Sequence, residues 1–183
     1  MTKTLLSAAL IAGLGIIAFA PNTAQATDGT ININGTVTGS TCTVKINNAA
    51  SPATITLPTV STTALSAAGN TAGETAFSIN LSACGGSPVA TKASTFFENG
   101  ANVNAAGRLT NTAVSPAGNV DVQLVNSDDS VIIAGSAAPT SGVGVASIVA
   151  NAATLNYFAR YYATAAATAG AVKTSVQFSV IYQ

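Results

Sequence analysis

From residue 30 onward, apolar and polar residues alternate in short runs, each bounded by Gly, Asn, Asp, Ser or Thr. Alternation with period two puts one face of an extended strand against a core and the other in solvent. In TININGTV (30–37) the apolar face carries Ile31, Ile33, Gly35 and Val37, and STCTVKI continues it through Cys42, Val44 and Ile46. AFSINLSAC (76–84) aligns Phe77, Ile79 and Leu81, and NVDVQLVN (119–126) aligns Val120, Val122 and Leu124. The NSDDS that overlaps its end is turn chemistry before VIIAG, which predicts a hairpin over 119–135. LNYFARYYA (155–163) sits in an Ala-rich stretch with helical propensity, but its aromatic residues and flanking Gly and Thr predict a strand. Segments poor in large apolar residues, AAGNTAGET and APTSGVG among them, are expected to be loops. Short strands separated by turn signals predict an all-β sandwich.

The two ends of this pattern differ from its middle. SVQFSVIYQ (175–183) places Val176, Phe178, Val180 and Tyr182 on one face and Ser175, Gln177, Ser179 and Ile181 on the other. It predicts a long, uncharged strand with no turn after it, the kind of edge that proteins usually cover, charge or shorten. TDGTINING (27–35) is expected to be an alternating strand with no partner before it. At about 3.3 Å per residue it reaches ~26–30 Å, against ~33 Å for residues 174–183. Such a strand can fold back on its own body or fill the edge of the next molecule. The second arrangement is head-to-tail, and builds a filament if it does not close into a ring.

The N-terminus sets the compartment. Lys3, the apolar LLSAALIAGLGIIAFA and the small-residue PNTAQA form the three regions of a secretory signal peptide. Cleavage is expected after Ala26; the other small-x-small site, Ala18-Phe19-Ala20, is disfavoured by the Pro21 that would follow the cut. The apolar run is shorter than the ~20 residues of a membrane span. Removal of residues 1–26 from the 183 leaves 157, enough for one domain with a substantial core. In an exported chain Cys42 and Cys84 are expected to form a disulfide. Closing that loop contributes roughly 4 kcal/mol in the chain-entropy account.

Charge and chemistry narrow the function. After residue 26 five basic residues face six acidic ones, without a basic stripe, which argues against nucleic acid or anionic membrane as partners. Charged residues make up 7% of the chain, against ~25% in an average soluble protein. With no histidine the Ser-His-Asp, Cys-His and zincin arrangements are excluded, and without Cys-x-x-Cys a metal site is not expected. SDDS (127–130) fits a hairpin turn better than a catalytic or calcium site. Tyr157, Tyr161 and Tyr162 could stack sugars, but in a strand such residues more often serve a core or groove. The expectation is a non-enzymatic protein without cofactors.

Taken in order, these segments resemble structural pilins of the chaperone–usher pathway, and specifically the major subunit of type 1 fimbriae. Ile33, Gly35 and Val37 occupy the places of that family's apolar-x-Gly-x-Val approach to the first cysteine, with Val44 two after Cys42. FSINLSAC is similar to its segment ending in the second cysteine, NVDVQLVNSDDS to its central hairpin, and ARYYATAAATAG…VQFSVIYQ to its C-terminal signature with penultimate Tyr182. The likeness covers nearly all of residues 29–183; two residues, Thr27 and Asp28, precede Gly29, and TKASTFFENG departs from the family's wording.

The resemblance implies an incomplete immunoglobulin-like sandwich lacking its last strand, spanning residues 36–183, after a signal peptide 1–26 and a donor-strand extension 27–35. Val176, Phe178, Val180 and Tyr182 would line the groove, with Gln183 presenting its carboxylate to basic residues of a periplasmic chaperone. In the filament the donor strand of a neighbouring subunit would replace the chaperone's at the outer-membrane usher. Gly29 would lie where the groove is shallow and Ile31 and Ile33 would act as plugs. The expected partners are identical or sister subunits, the chaperone and the usher. The expected place is the cell surface after export through the periplasm, and the expected role is attachment and biofilm formation. The rival readings are a minor or adaptor subunit of the same system and a self-contained secreted sandwich that binds a glycan or other ligand.

Overall fold

A computed structural model describes residues 31–35 and 37–183, which belong to two units, Met1–Gly35 and Thr36–Gln183. The expected signal peptide and Gly29 lie outside the described residues. In the first unit residues 31–35 form no ladder, and Ile31 and Ile33 are 89% and 90% exposed.

The second unit is built from β1 (Thr41–Ile46), β2 (Thr71–Gly85), β3 (Lys92–Phe97), β4 (Leu109–Thr110), β5 (Val120–Asn126), β6 (Val131–Ile132), β7 (Val145–Ser147), β8 (Ala153–Ala163) and β9 (Phe178–Tyr182). One sheet has the order β1-β2-β8-β5-β4, with β6 also pairing β5; the other has the order β7-β3-β9. Every pairing between these strands is antiparallel. The alternation explains the layering. Ile79 and Leu81 of β2, Val122 and Leu124 of β5, and Leu155 and Tyr157 of β8 turn inward from the large sheet, and Ala93 and Phe97 of β3 meet them from the small one. The Tyr157 ring joins the layers, 5.3 Å from Phe97 edge-on and 5.6 Å from Phe77. Burial pushes its phenol pKa up.

Three expectations change. The loop expected at AAGNTAGET ends at Asn70, because β2 begins at Thr71 and pairs Thr71 and Ala72 with Tyr162 and Tyr161 of β8. A bulge between Ala72 and Thr75 accommodates Gly73, whose positive φ of 68° and closeness to the Tyr161 ring leave no room for a side chain. The hairpin over 119–135 forms with Asp129 in the left-handed region, but its second strand has only two residues. NVDVQLVN is buried on both faces rather than one. Asp121 accepts from Arg108 Nε at 3.0 Å and Asn104 Nδ2 at 2.8 Å, and Gln123 accepts from Arg160 Nε at 3.0 Å. Arg160 also pairs with Glu74 at 3.1 Å. Long side chains thus cover the outer face of β5, where alternation predicted solvent.

Candidate functional site

The strand expected at the chain's end is present and longer in pattern than in ladder. From Val172 to Tyr182 the even-numbered residues are half-buried and the odd-numbered ones exposed, although β9 itself starts at Phe178. Val172, Val176, Phe178, Val180 and Tyr182 all pack on the main core. Odd-numbered residues carry the ladder side: Gln177 accepts from Glu98 N–H at 2.9 Å, and Gln183 exchanges two bonds of 2.9 Å with Lys92. Register between β3 and β9 pairs Ser94 with Ile181 and Phe96 with Ser179. Successive residues of a strand point their main-chain groups to opposite edges. The amides and carbonyls of residues 172, 174, 176, 178, 180 and 182 therefore face away from β3, and β9 has no second neighbour among the described residues.

Before β9 the same stretch is held from the β3 side by loops. Thr112 N–H donates to Lys173 O at 2.7 Å, Ala117 N–H to Ala171 O at 2.8 Å, and Asn102 Nδ2 to Ser175 Oγ at 2.9 Å. Asn111 stitches two residues at once, donating to Ala171 O at 2.8 Å and accepting from Lys173 N–H at 3.0 Å. The Thr174 hydroxyl, on the inward face, is buried without a partner among the described residues.

A second stretch has the same character, and the sequence reading passed over it. Residues 53–60, ATITLPTV, belong to no strand, yet Ala53, Ile55, Leu57 and Val60 are half-buried. Their main chain makes no hydrogen bond to any described residue. Leu57 packs on the same core as Val176 to Tyr182, while Val60 and Val172 share the smaller cluster of Leu65, Ala117, Val120 and Ala163. The two stretches therefore run along one core in opposite senses, each with main-chain groups unspent. Its signal was legible: Ala53, Ile55 and Leu57 alternate with threonines between Pro52 and Pro58.

Tyr182 marks one end of this site. Its hydroxyl accepts from Cys42 N–H at 3.1 Å, which ties β9 to β1 of the other sheet. Cys42 is joined to Cys84 by the expected disulfide. At Gln183 a main-chain oxygen accepts from Thr91 N–H at 2.8 Å, and the side-chain amide donates to Pro139 O at 3.1 Å. The tyrosines considered for sugar stacking are engaged elsewhere. Tyr157 is in the core, Tyr161 lies against Gly73, and the Arg108 guanidinium sits 4.1 Å over the Tyr162 ring. SDDS is a surface turn in which Asp128 accepts from Ser130, a contact that lowers its pKa.

The site is thus a long apolar strip flanked, among the described residues, by unpaired main chain. The family model FimA, described as type-1 fimbrial protein, A, matches residues 57–183. The chain belongs to the type-1 fimbrial protein family. This fimbrial protein is 44% identical over 173 residues to the major fimbrial subunit SMF-1 of Stenotrophomonas maltophilia (strain K279a), covering 91% of this chain and 99% of that one. It is 41% identical over 176 residues to the F17 fimbrial protein of Escherichia coli, covering 93% and 96%. Its fold matches the crystal structure of the P pilus rod subunit PapA with a TM-score of 0.55 at 20% identity, covering 78% of this chain and 99% of that one. The sandwich is accordingly the immunoglobulin-like pilin fold. The fimbrial protein is a structural subunit of a cell-surface pilus and not an enzyme.

Proposed function

We propose that this fimbrial subunit polymerises by strand donation: residues 27–35 of one copy lie between residues 53–60 and 172–182 of the next. The observation that carries the reading is the eight-residue stretch 53–60, with Ala53, Ile55, Leu57 and Val60 half-buried and no main-chain hydrogen bond to any described residue. The proposed donor supports it from the other side, since Ile31 and Ile33 are exposed to a degree that large apolar residues avoid unless something covers them. Burying each contributes ~1.5–3 kcal/mol, and each main-chain bond ~1 kcal/mol. Gly29, two residues before Ile31, would lie where the groove is shallow.

Before assembly the same strip is the site for a periplasmic chaperone strand, with Gln183 as the anchor for its basic residues, and the exchange takes place at an outer-membrane usher. Residues 1–26 direct export and are removed, and residues 36–183 are the pilin domain. The assembled filament serves attachment and biofilm formation.

The test is thermal unfolding of a chain lacking residues 1–34, with and without a synthetic peptide of residues 27–35. A large rise in melting temperature on adding the peptide is expected. A stable, cooperative transition that the peptide leaves unchanged would mean the sandwich is complete alone and would end this reading.

A further inference from the structure

The sequence holds two Asn-Gly pairs, Asn34-Gly35 and Asn99-Gly100. Asparagine is a thermolabile residue, and a glycine after it removes the Cβ that would shield the following amide nitrogen. That nitrogen can give up its proton and bond to the asparagine Cγ; the Cγ–Nδ2 bond breaks and ammonia leaves, closing a succinimide ring. Water then opens the ring to aspartate or to isoaspartate, in which the main chain runs through Cγ. The reaction needs an amide nitrogen without a partner and a main chain able to turn towards the side chain, so the fold decides which pair reacts.

The two pairs stand in opposite surroundings. Gly100 N–H donates to Glu98 O at 3.0 Å and Gly100 O accepts from Val103 N–H at 2.9 Å, so this glycine is tied on both sides. Gly135 packs so closely on Asn99 that a Cβ there would come within 2.8 Å of Asn99 Cβ and 3.2 Å of its Cγ, the atom open to attack. Around Asn34 the picture reverses. Residues 31–35 form no ladder, and no main-chain hydrogen bond joins them to any described residue. A Cβ on Gly35 would meet nothing beyond its chain neighbours within 4 Å. Asn34 and Asn99 are both exposed, so access to water does not separate the two pairs; the bonds on Gly100 do.

We propose that Asn34 is a site of spontaneous deamidation, reactive while the segment 27–35 is unseated and protected once it lies in a neighbouring subunit. In the proposed assembly Gly35 falls within the donated strand, between residues 53–60 and 172–182, where its amide would be paired and its main chain held extended. The protection rests on strand donation; the reactivity of the unseated segment does not. The chemical state of residue 34 thus records how long a subunit waited before it was assembled.

The chain without residues 1–26 is incubated at mildly alkaline pH in two states. One is the filament. The other is the single subunit, kept from polymerising by an excess of the 27–35 peptide carrying Asn34→Gln, which fills the strip and leaves each copy's own segment free. Denaturation, reduction and cleavage at Lys45, Lys92 and Arg108 put Asn34 and Asn99 on separate fragments, and fragmentation mass spectrometry reads the conversion of each. In single subunits Asn34 should convert many-fold faster than Asn99, and Gly35→Ala should slow it several-fold. In filaments Asn34 should fall to the pace of Asn99. Equal rates at the two asparagines of single subunits would overturn the proposal. Conversion of Asn34 as fast in filaments as in single subunits would overturn the protection. If the peptide neither caps the chain nor raises its melting temperature, strand donation fails, while the comparison of Asn34 with Asn99 in the uncapped chain still decides the reactivity.

Discussion

β8 and the stretch 171–183 have the same alternating sequence pattern and opposite surroundings. β8 pairs β2 on one side and β5 on the other, and its inward residues Ala153, Leu155, Tyr157 and Ala159 are fully buried. Among the described residues the stretch 171–183 has a partner on one side only, and not one of its inward residues is fully buried. Alternation records which side chains are meant to face a core. Only the neighbours decide how completely they are covered, so half-burial along an otherwise regular strand measures a missing layer.

Substitutions in the two regions should therefore respond differently to the donor peptide. Leu155→Ala in β8 is expected to cost about 2–5 kcal/mol, by the same amount with and without peptide; chemical denaturation of the chain lacking residues 1–34 checks it. Phe178→Ala in β9 should cost about 3–5 kcal/mol with peptide bound and roughly half that without, since its ring is fully enclosed only when the strip is filled. Equal losses in both conditions would break the comparison. Tyr182→Phe removes the bond from Cys42 N–H and should lower stability by about 1 kcal/mol, while leaving the peptide-induced rise in melting temperature intact. The gentlest probe is pH. The buried Tyr157 phenol has its pKa raised in the fold, so the unfolded chain loses that proton first as pH passes about 10, and stability must fall from there upward. No such loss is expected below that range from this group, and a melting series between pH 8 and 11 reads it.

Large apolar residues at period two were what the sequence made legible. Phe77, Ile79 and Leu81 of β2 fell where alternation put them, and the aromatics of β8 marked a strand against an Ala-rich background that favours helix. The inward face of the last strand was equally plain. What stayed hidden were strands made of small or polar residues: Thr71 to Thr75 at the start of β2, and β3, whose Ala93 and Ser94 are fully buried without bulk. The stretch 53–60 was passed over for a different reason. Its pattern is strand-like, but Pro52 precedes it and threonines and Pro58 interrupt it, and its missing hydrogen bonds are a property of the fold that no residue type announces. The covering of Asp121 and Gln123 by Arg108 and Arg160 was likewise invisible, because residues distant in sequence supply it.

Asn111 and Asn102 leave one more consequence. By holding residues 171–175 from the loop side, they fix that flank of the strip within the folded subunit. In the proposed assembly the conformational entropy of ordering the flank is thus lost during folding and not charged again at each encounter. What would remain to be ordered is the incoming segment. Differences in affinity between one incoming sequence and another then report side-chain fit almost directly, which makes a preorganised flank a device for discrimination as much as for strength.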